Sequence, residues 1–69
     1  MDATTIQRVF TYYAPKNGQS VRYERIRTMA RQYAELVDTL CPDSHEKDVA
    51  LDRLREAVMW ANAAIAVNE

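Results

Sequence analysis

Two long segments of the chain carry apolar residues at the spacing of an α-helix. In the first segment they recur at steps of four and three, which keeps them on one face of a helix with 3.6 residues per turn. These residues are Ile26, Ala30, Tyr33, Val37 and Leu40. In the second segment a matching face is formed by Leu51, Leu54, Val58, Ala61 and Ile65. The pattern therefore predicts two long amphipathic helices.

Capping and turn residues indicate where the first elements begin. A short helix is expected in DATTIQRVF, where Asp2 or Thr4 can accept hydrogen bonds from the exposed amides of the first turn. The following APKNGQS predicts a turn, because proline fixes its own dihedral angle and Asn-Gly tolerates positive ones. Ser20 then lies where it could cap a long helix that starts at about Val21.

A second turn separates the two long helices. Cys41-Pro42 should end the first of them, since proline disfavours helical geometry in the residue before it. Asp43 and Glu46 have the spacing of a capping box, which predicts the start of the next helix. Helices joined by so few residues fold back on each other. We therefore expect an all-α fold with one domain over residues 1–69, a short N-terminal helix followed by a long antiparallel helical hairpin.

The C-terminal part of the last helix is apolar on nearly every side. Residues 57–67 read AVMWANAAIAV, in which Asn62 is the one polar side chain. On a helical wheel Trp60, Ala63 and Val67 point away from the stripe that should face the hairpin partner. A helix that is apolar all round must be covered all round. This pattern predicts a homo-oligomer that assembles through the C-terminal helix.

Length, cysteine content and charge narrow the class of protein. A chain of 69 residues hides only about 60% of its unfolded surface, so a partner subunit is expected. One cysteine forms no internal disulfide, and no apolar run predicts a membrane span, so we expect a soluble, cytosolic protein. The net charge of −1 argues against binding to polymeric nucleic acid, although residues 8–31 carry +5 and residues 32–69 carry −5.

The basic part of the chain also holds a cluster of aromatic residues at the predicted turn. In RVFTYYAPKNGQ, Phe10, Tyr12 and Tyr13 stand between Arg8 and Lys16. Aromatic rings stack on nucleobases, and nearby cations bind phosphates. An alternative is that Phe10 and one tyrosine only pack the short helix onto the hairpin.

The first long helix adds candidate phosphate ligands. Tyr23, Arg27 and Arg31 lie along one of its flanks, and an arginine fork suits bidentate contact with a phosphate or a guanine edge. Arginines also serve on exposed helices for solubility alone. Asn62 is more readily explained as a residue that fixes helix register or bonds across a subunit interface.

No arrangement of residues predicts catalysis. Asp48 and Asp52 share a charged helix face that looks like solvated surface. His45 has no metal-ligand pattern around it, and Cys41 has no companion base. We therefore expect a protein that is not an enzyme and that holds no cofactor and no metal.

Four segments together give the chain a resemblance to a known family. TTIQRVFTYYAPK, RYERIR, LCPDS and EAVMWANAAIA look like the phage cyclic-nucleotide sponges, the anti-CBASS proteins whose helical hairpin is shared with Thoeris anti-defence sponges. The resemblance implies a homohexamer in the cytoplasm of the infected bacterium. It also implies that this assembly sequesters cyclic dinucleotides, and in some members cyclic trinucleotides, without cleaving them.

The resemblance also implies which residues bind the ligand. The stacking tyrosine of the family falls on Tyr12, in FTYYAPK, and its basic residue falls on Arg27. Arg8, Tyr13 and Lys16 join them as expected site residues because they are close in sequence.

Two other functions stay open from the residues alone. One is a small helical protein-interaction or regulatory module with no nucleotide ligand, whose alanine-rich face would bind a host protein. The other is an enzyme that degrades the nucleotide, which would need a general base or a metal.

Overall fold

The computed structural model describes residues 1–69 and contains three helices and no strand. They are α1 (Ala3–Val9), α2 (Gln19–Leu40) and α3 (His45–Asn68). The two long helices pack against each other along their length. The all-helical hairpin predicted from the apolar spacing is therefore confirmed.

The caps of α1 and α3 follow from side chains at their starts. The Thr5 amide donates to Asp2 Oδ1 over 2.7 Å, so the predicted Asp2 cap is confirmed. At α3 the predicted Asp43 cap is wrong. Ser44 has the extended backbone of a cap, and its Oγ accepts from the Lys47 amide over 3.1 Å. Asp43 lies one residue too early to reach that amide.

The start of α2 also differs from the sequence expectation. The helix begins at Gln19, so the predicted Ser20 cap and the predicted start at Val21 are wrong. Gly18 is the N-cap residue, with φ of 80° and no side-chain cap bond. Its left-handed backbone turns the chain into the helix two residues earlier. Gln19 is buried, and its Oε1 accepts from the Lys16 amide over 2.9 Å.

The contact between α2 and α3 follows the predicted stripe on α3 and departs from it on α2. All five predicted residues of α3 are half-buried. On α2, Tyr33 and Leu40 are exposed, whereas Ala34 is half-buried. The contact line of α2 therefore runs through Ile26, Ala30, Ala34 and Val37. Its steps of four, four and three still describe one helical face.

Ion pairs tie both ends of the hairpin together. At the turn, Lys47 Nζ lies 3.0 Å from Asp38 Oδ1, the Asp38 carbonyl oxygen and Asp43 Oδ1. The hydrogen bond to Asp43, followed by that to Asp38, raises the pKa of Lys47. At the other end, Arg22 pairs with Glu69. The end of α2 thus meets the start of α3 and the start of α2 meets the end of α3, as in an antiparallel hairpin.

A single chain forms a thin layer without a closed hydrophobic core. Its extents are 45 × 29 × 12 Å, and no hydrophobic residue is buried. The radius of gyration is 15.2 Å, whereas a compact domain of this length has about 11 Å. Two helices lying side by side cover one stripe each, so the outer faces of the layer stay open to solvent.

The short helix α1 does not cover these faces. Thr5 is its only half-buried residue, and the other residues of α1 are exposed. Phe10, at its C-terminal end, is 78% exposed. The expectation that Phe10 pins α1 onto the hairpin is therefore wrong in a single chain. None of the three helices is long and apolar enough to cross a membrane.

Candidate ligand-binding site

The segment that joins α1 to α2, residues 10–18, is here called the aromatic loop. The Tyr13 hydroxyl donates to the Arg8 carbonyl oxygen over 2.6 Å, which ties the middle of the loop back to α1. Lys16 Nζ donates to the Glu69 carbonyl oxygen at the end of α3. These contacts hold the loop between α1 and the C-terminal end of α3.

Glu69 connects this end of the molecule through its side chain as well. Its carboxylate pairs with Arg22, with one N–O distance of 2.8 Å, and accepts a longer bond of 3.4 Å from Gln19 Nε2. The hydrogen bonds from Arg22, and then from Gln19, lower the pKa of Glu69 to about 2. Helices α2 and α3 are thus joined next to the point where the aromatic loop enters α2.

Below the aromatic loop lies a concave site that we call the tyrosine–arginine pocket. It has a volume of about 360 Å³ and is formed by the loop, α2 and α3. Its lining residues are Tyr13, Tyr23, Arg27, Asn62, Ala63 and Ala66. The volume is near the lower limit of ligand pockets, which span about 300–1,000 Å³.

Helical spacing explains why these residues meet. Tyr23 and Arg27 are four residues apart on α2, so they lie one turn apart on the same face. Ala63 and Ala66 are three apart on α3, and their small side chains leave open the space that a larger residue would fill. Tyr13 reaches this space from the aromatic loop and is half-buried there.

Arg27 brings an uncompensated positive charge to the pocket. The ion pairs of the chain involve Arg22, Lys47 and Arg53, and no carboxylate lies within 4.0 Å of the Arg27 guanidinium. Arg27 also borders a second groove, of about 540 Å³, together with Arg31 and Arg55. An unpaired guanidinium is free to form a bidentate contact with a phosphate.

Asn62 gives the pocket a hydrogen-bonding group without a partner. The residue is half-buried, and its Oδ1 is buried with no hydrogen-bond donor in the chain. A buried acceptor left unpaired costs about 1–3 kcal/mol. The sequence marked Asn62 as unusual in an apolar block, but nothing in the sequence placed it beside Tyr13 and Arg27.

The five expected site residues do not all converge in one chain. Tyr13 and Arg27 share the pocket. Tyr12 is 84% exposed and lies outside the pocket lining, Arg8 is exposed on α1, and Lys16 is bonded to Glu69. Tyr23 is a lining residue that sequence reasoning left out of the site. The helical spacing to Arg27 was the signal that pointed to it.

The larger concave surface on the other side of the hairpin has a different character. It is a groove of about 710 Å³, and nine of its eleven lining residues are hydrophobic, among them Met29, Tyr33 and Ile65. Such a surface offers few groups that could orient a charged ligand. Throughout the chain, no three His, Cys, Asp or Glu side chains lie together in a way that could hold a metal ion.

An unpaired arginine, two tyrosines and an amide in a cleft of a helical hairpin define a small polar-ligand site on an all-helical scaffold. Residues 2–66 match the family model described as Acb2/Tad1, hairpin domain. The chain therefore belongs to the Acb2/Tad1 hairpin family, the anti-CBASS and anti-Thoeris sponges, which is known for binding cyclic nucleotide signals. No curated protein and no solved structure matches the chain.

Proposed function

We propose that this protein is a phage immune-evasion protein that binds cyclic oligonucleotide second messengers and sequesters them without cleavage. The ligands are cyclic dinucleotides, with cyclic trinucleotides as a further class. By removing the messenger from the cytoplasm of the infected bacterium, the protein blocks CBASS-type antiviral signalling. Membership of the hairpin family supports this proposal, and the tyrosine–arginine pocket is the observation that carries it.

Each expected site residue has a role in this proposal. Tyr12 stacks on a base, since its ring is exposed and free to do so. Arg27 binds a phosphate or a base edge, and Tyr13 closes the pocket beside it. Arg8 and Lys16 line the rim of the site and add positive charge.

The ligand-binding form in this proposal is a symmetric homo-oligomer, a hexamer. One pocket of about 360 Å³ matches half of a ligand that carries two bases and two phosphates. In an assembly with two-fold axes, two chains offer the same surface to each other. Each chain then supplies an aromatic ring and a cation to one half of a cyclic dinucleotide.

Sequestration is tested by filtration with recovery of the ligand. Purified protein is mixed with a panel of cyclic di- and trinucleotides, filtered and then heat-denatured, and the released nucleotide is identified by chromatography. We expect one or more nucleotides to leave the filtrate and to return intact on denaturation. If every nucleotide passes through unchanged, the protein-interaction module replaces this proposal, and if a nucleotide returns cleaved, the protein is an enzyme.

The site assignment is tested with two variants and a conservative control for each. Stacking contributes about 1–3 kcal/mol per base, so Tyr12→Ala should weaken binding of a two-base ligand by roughly 30-fold or more. Arg27→Ala should also abolish tight binding, measured by calorimetry, because it removes the unpaired guanidinium. Tyr12→Phe keeps the ring, and Arg53→Ala removes an arginine that is already paired with Glu56. Both controls should bind like the wild type, and wild-type affinity in both test variants would show that the assignment is wrong.

A further inference from the structure

The side chain of Asn62 has a property that the proposed stacking and phosphate contacts leave unexplained. Its Oδ1 is the one buried side-chain oxygen or nitrogen in the chain without a hydrogen-bond partner. It lies in the wall of the tyrosine–arginine pocket, opposite the loop that carries Tyr13. Buried polar groups are nearly always paired in a functional protein. A donor must therefore come from outside this chain.

The surroundings of Asn62 favour a flat, polar donor. Two tyrosines line the same pocket and offer aromatic rings, while Ala63 and Ala66 leave open space next to the amide. Arg27 is a donor and has no hydrogen to accept, so it matches a phosphate better than an amino group. A primary amide combines one acceptor and one donor side by side. The same two groups, in the complementary order, lie on the edge of adenine, where the exocyclic amine neighbours a ring nitrogen.

We propose that Asn62 determines the base preference of the pocket by pairing with the edge of an adenine. Its Oδ1 accepts from the exocyclic amine, and its Nδ2 donates to the adjacent ring nitrogen. The inference rests on the proposed function, since it identifies the base that the sequestered cyclic nucleotide presents to this pocket. Phosphate binding by Arg27 supplies affinity for any such ligand, whereas Asn62 distinguishes between the ligands.

The competing explanation is that Asn62 pairs across a subunit interface. A residue with that role would alter assembly when replaced, and would change the affinities for all ligands together. A residue that pairs with a base changes the ratio of affinities for different bases. The ratio is therefore the measurement that separates the two roles.

The experiment compares cyclic di-AMP with cyclic di-GMP, which have equal charge and similar size. Dissociation constants for both are measured by calorimetry with the wild type, Asn62→Leu and Asn62→Asp. We expect the wild type to prefer cyclic di-AMP. Asn62→Leu has similar volume but lacks both hydrogen-bonding groups, so the preference should fall by about 5- to 150-fold for each base pair lost.

Asn62→Asp should change the preference in favour of the guanine ligand. A carboxylate has two acceptors and no donor, and it can accept from the two neighbouring N–H groups of guanine. Asn68→Ala is the control on the same helix. The Asn68 side chain donates to the carbonyl oxygen of Ala64 over 2.9 Å, outside the pocket, so its loss should leave the ratio unchanged.

The outcomes distinguish this inference from the proposed function. A wild type that binds a cyclic dinucleotide, with the same ratio in all Asn62 variants, overturns the base-reading role and leaves sequestration intact. A preference of the wild type for cyclic di-GMP, or dissociation of the Asn62→Leu assembly in sedimentation, also overturns it. A wild type that binds neither a dinucleotide nor a trinucleotide overturns the proposed function and this inference together.

Discussion

Glu69 is the residue through which the two long helices and the aromatic loop meet. Its carboxylate accepts from Arg22 and Gln19, and its carbonyl oxygen accepts from Lys16. The bonds from Arg22 and Gln19 hold the pKa of Glu69 at about 2, below its ordinary value of 4.5. A lowered pKa in the folded state means that these contacts stabilise the protein fully above about pH 4.5. That contribution is lost as the pH falls toward about 2.

We expect Glu69→Gln to unfold at a lower temperature than the wild type at pH 7. The difference between the two should shrink as the pH falls from about 4.5 to about 2, because the wild-type carboxyl becomes protonated over that range. Thermal unfolding followed by circular dichroism at several pH values measures the difference. Glu56→Gln is the control, since its exposed pair with Arg53 lies within α3 and joins no other element. A gap that stays constant down to pH 2 would contradict this role of Glu69.

Residue identities indicated part of the site before the structure was known. Tyr13 and Arg27 were both expected to bind the ligand, and the structure places them in one pocket. Asn62 and Tyr23 could not be assigned to that pocket from sequence, because their meeting depends on how α3 is rotated against α2. Periodicity predicts which face of a helix is apolar, but it does not fix the side chains that oppose each other across two helices.

At the scale of elements, Gly18 fixes the angle at which the aromatic loop enters α2. Its φ of 80° lies in the left-handed region, and a Cβ added there would meet no atom within 4 Å. The effect of a substitution is therefore a backbone effect alone. Gly18→Ala should destabilise the fold by about 1–2 kcal/mol, or roughly 4–8 °C in Tm for each kcal/mol in a domain of this size.

Gly18→Asn provides the matched test of that explanation. Asparagine adopts left-handed backbone more readily than alanine does, so this variant should recover a large part of the lost stability. Urea unfolding at pH 7 compares the three proteins. Equal stability of Gly18→Ala and the wild type would show that the left-handed turn does not contribute to the folded state.

The helices were more predictable than their ends. Apolar spacing fixed the existence of α2 and α3, since a repeat over 20 residues leaves no competing period. The starts were wrong by one or two residues for local reasons. Ser44 follows Asp43 directly and both can cap a helix, so the backbone geometry decides between them. At α2, Gly18 replaces a side-chain cap by a left-handed turn, a solution that composition alone does not distinguish from a Ser20 cap.

At the scale of the whole molecule, the exposed surface is too large for a chain that functions alone. The accessible area is 5802 Å², whereas a folded monomer of 8.0 kDa exposes about 4,450 Å². The excess exceeds the area of about 800 Å² that each partner contributes to a standard interface. Trp60 and Met59 are 70% and 63% exposed on α3. These features support assembly through the C-terminal helix.

We expect the protein to sediment as a homo-oligomer, a hexamer, at micromolar concentration. Trp60→Glu should weaken this self-association, because a tryptophan buries about 150–250 Å² and half of that area contributes about 2–3 kcal/mol. The resulting loss is roughly 30- to 150-fold in the association constant of each interface that contains Trp60. Arg53→Glu, also exposed on α3 and already paired within its own helix, serves as the control for added negative charge. A wild type that sediments as a monomer at micromolar concentration would contradict the assembly, and would require that each pocket binds its ligand with the residues of one chain.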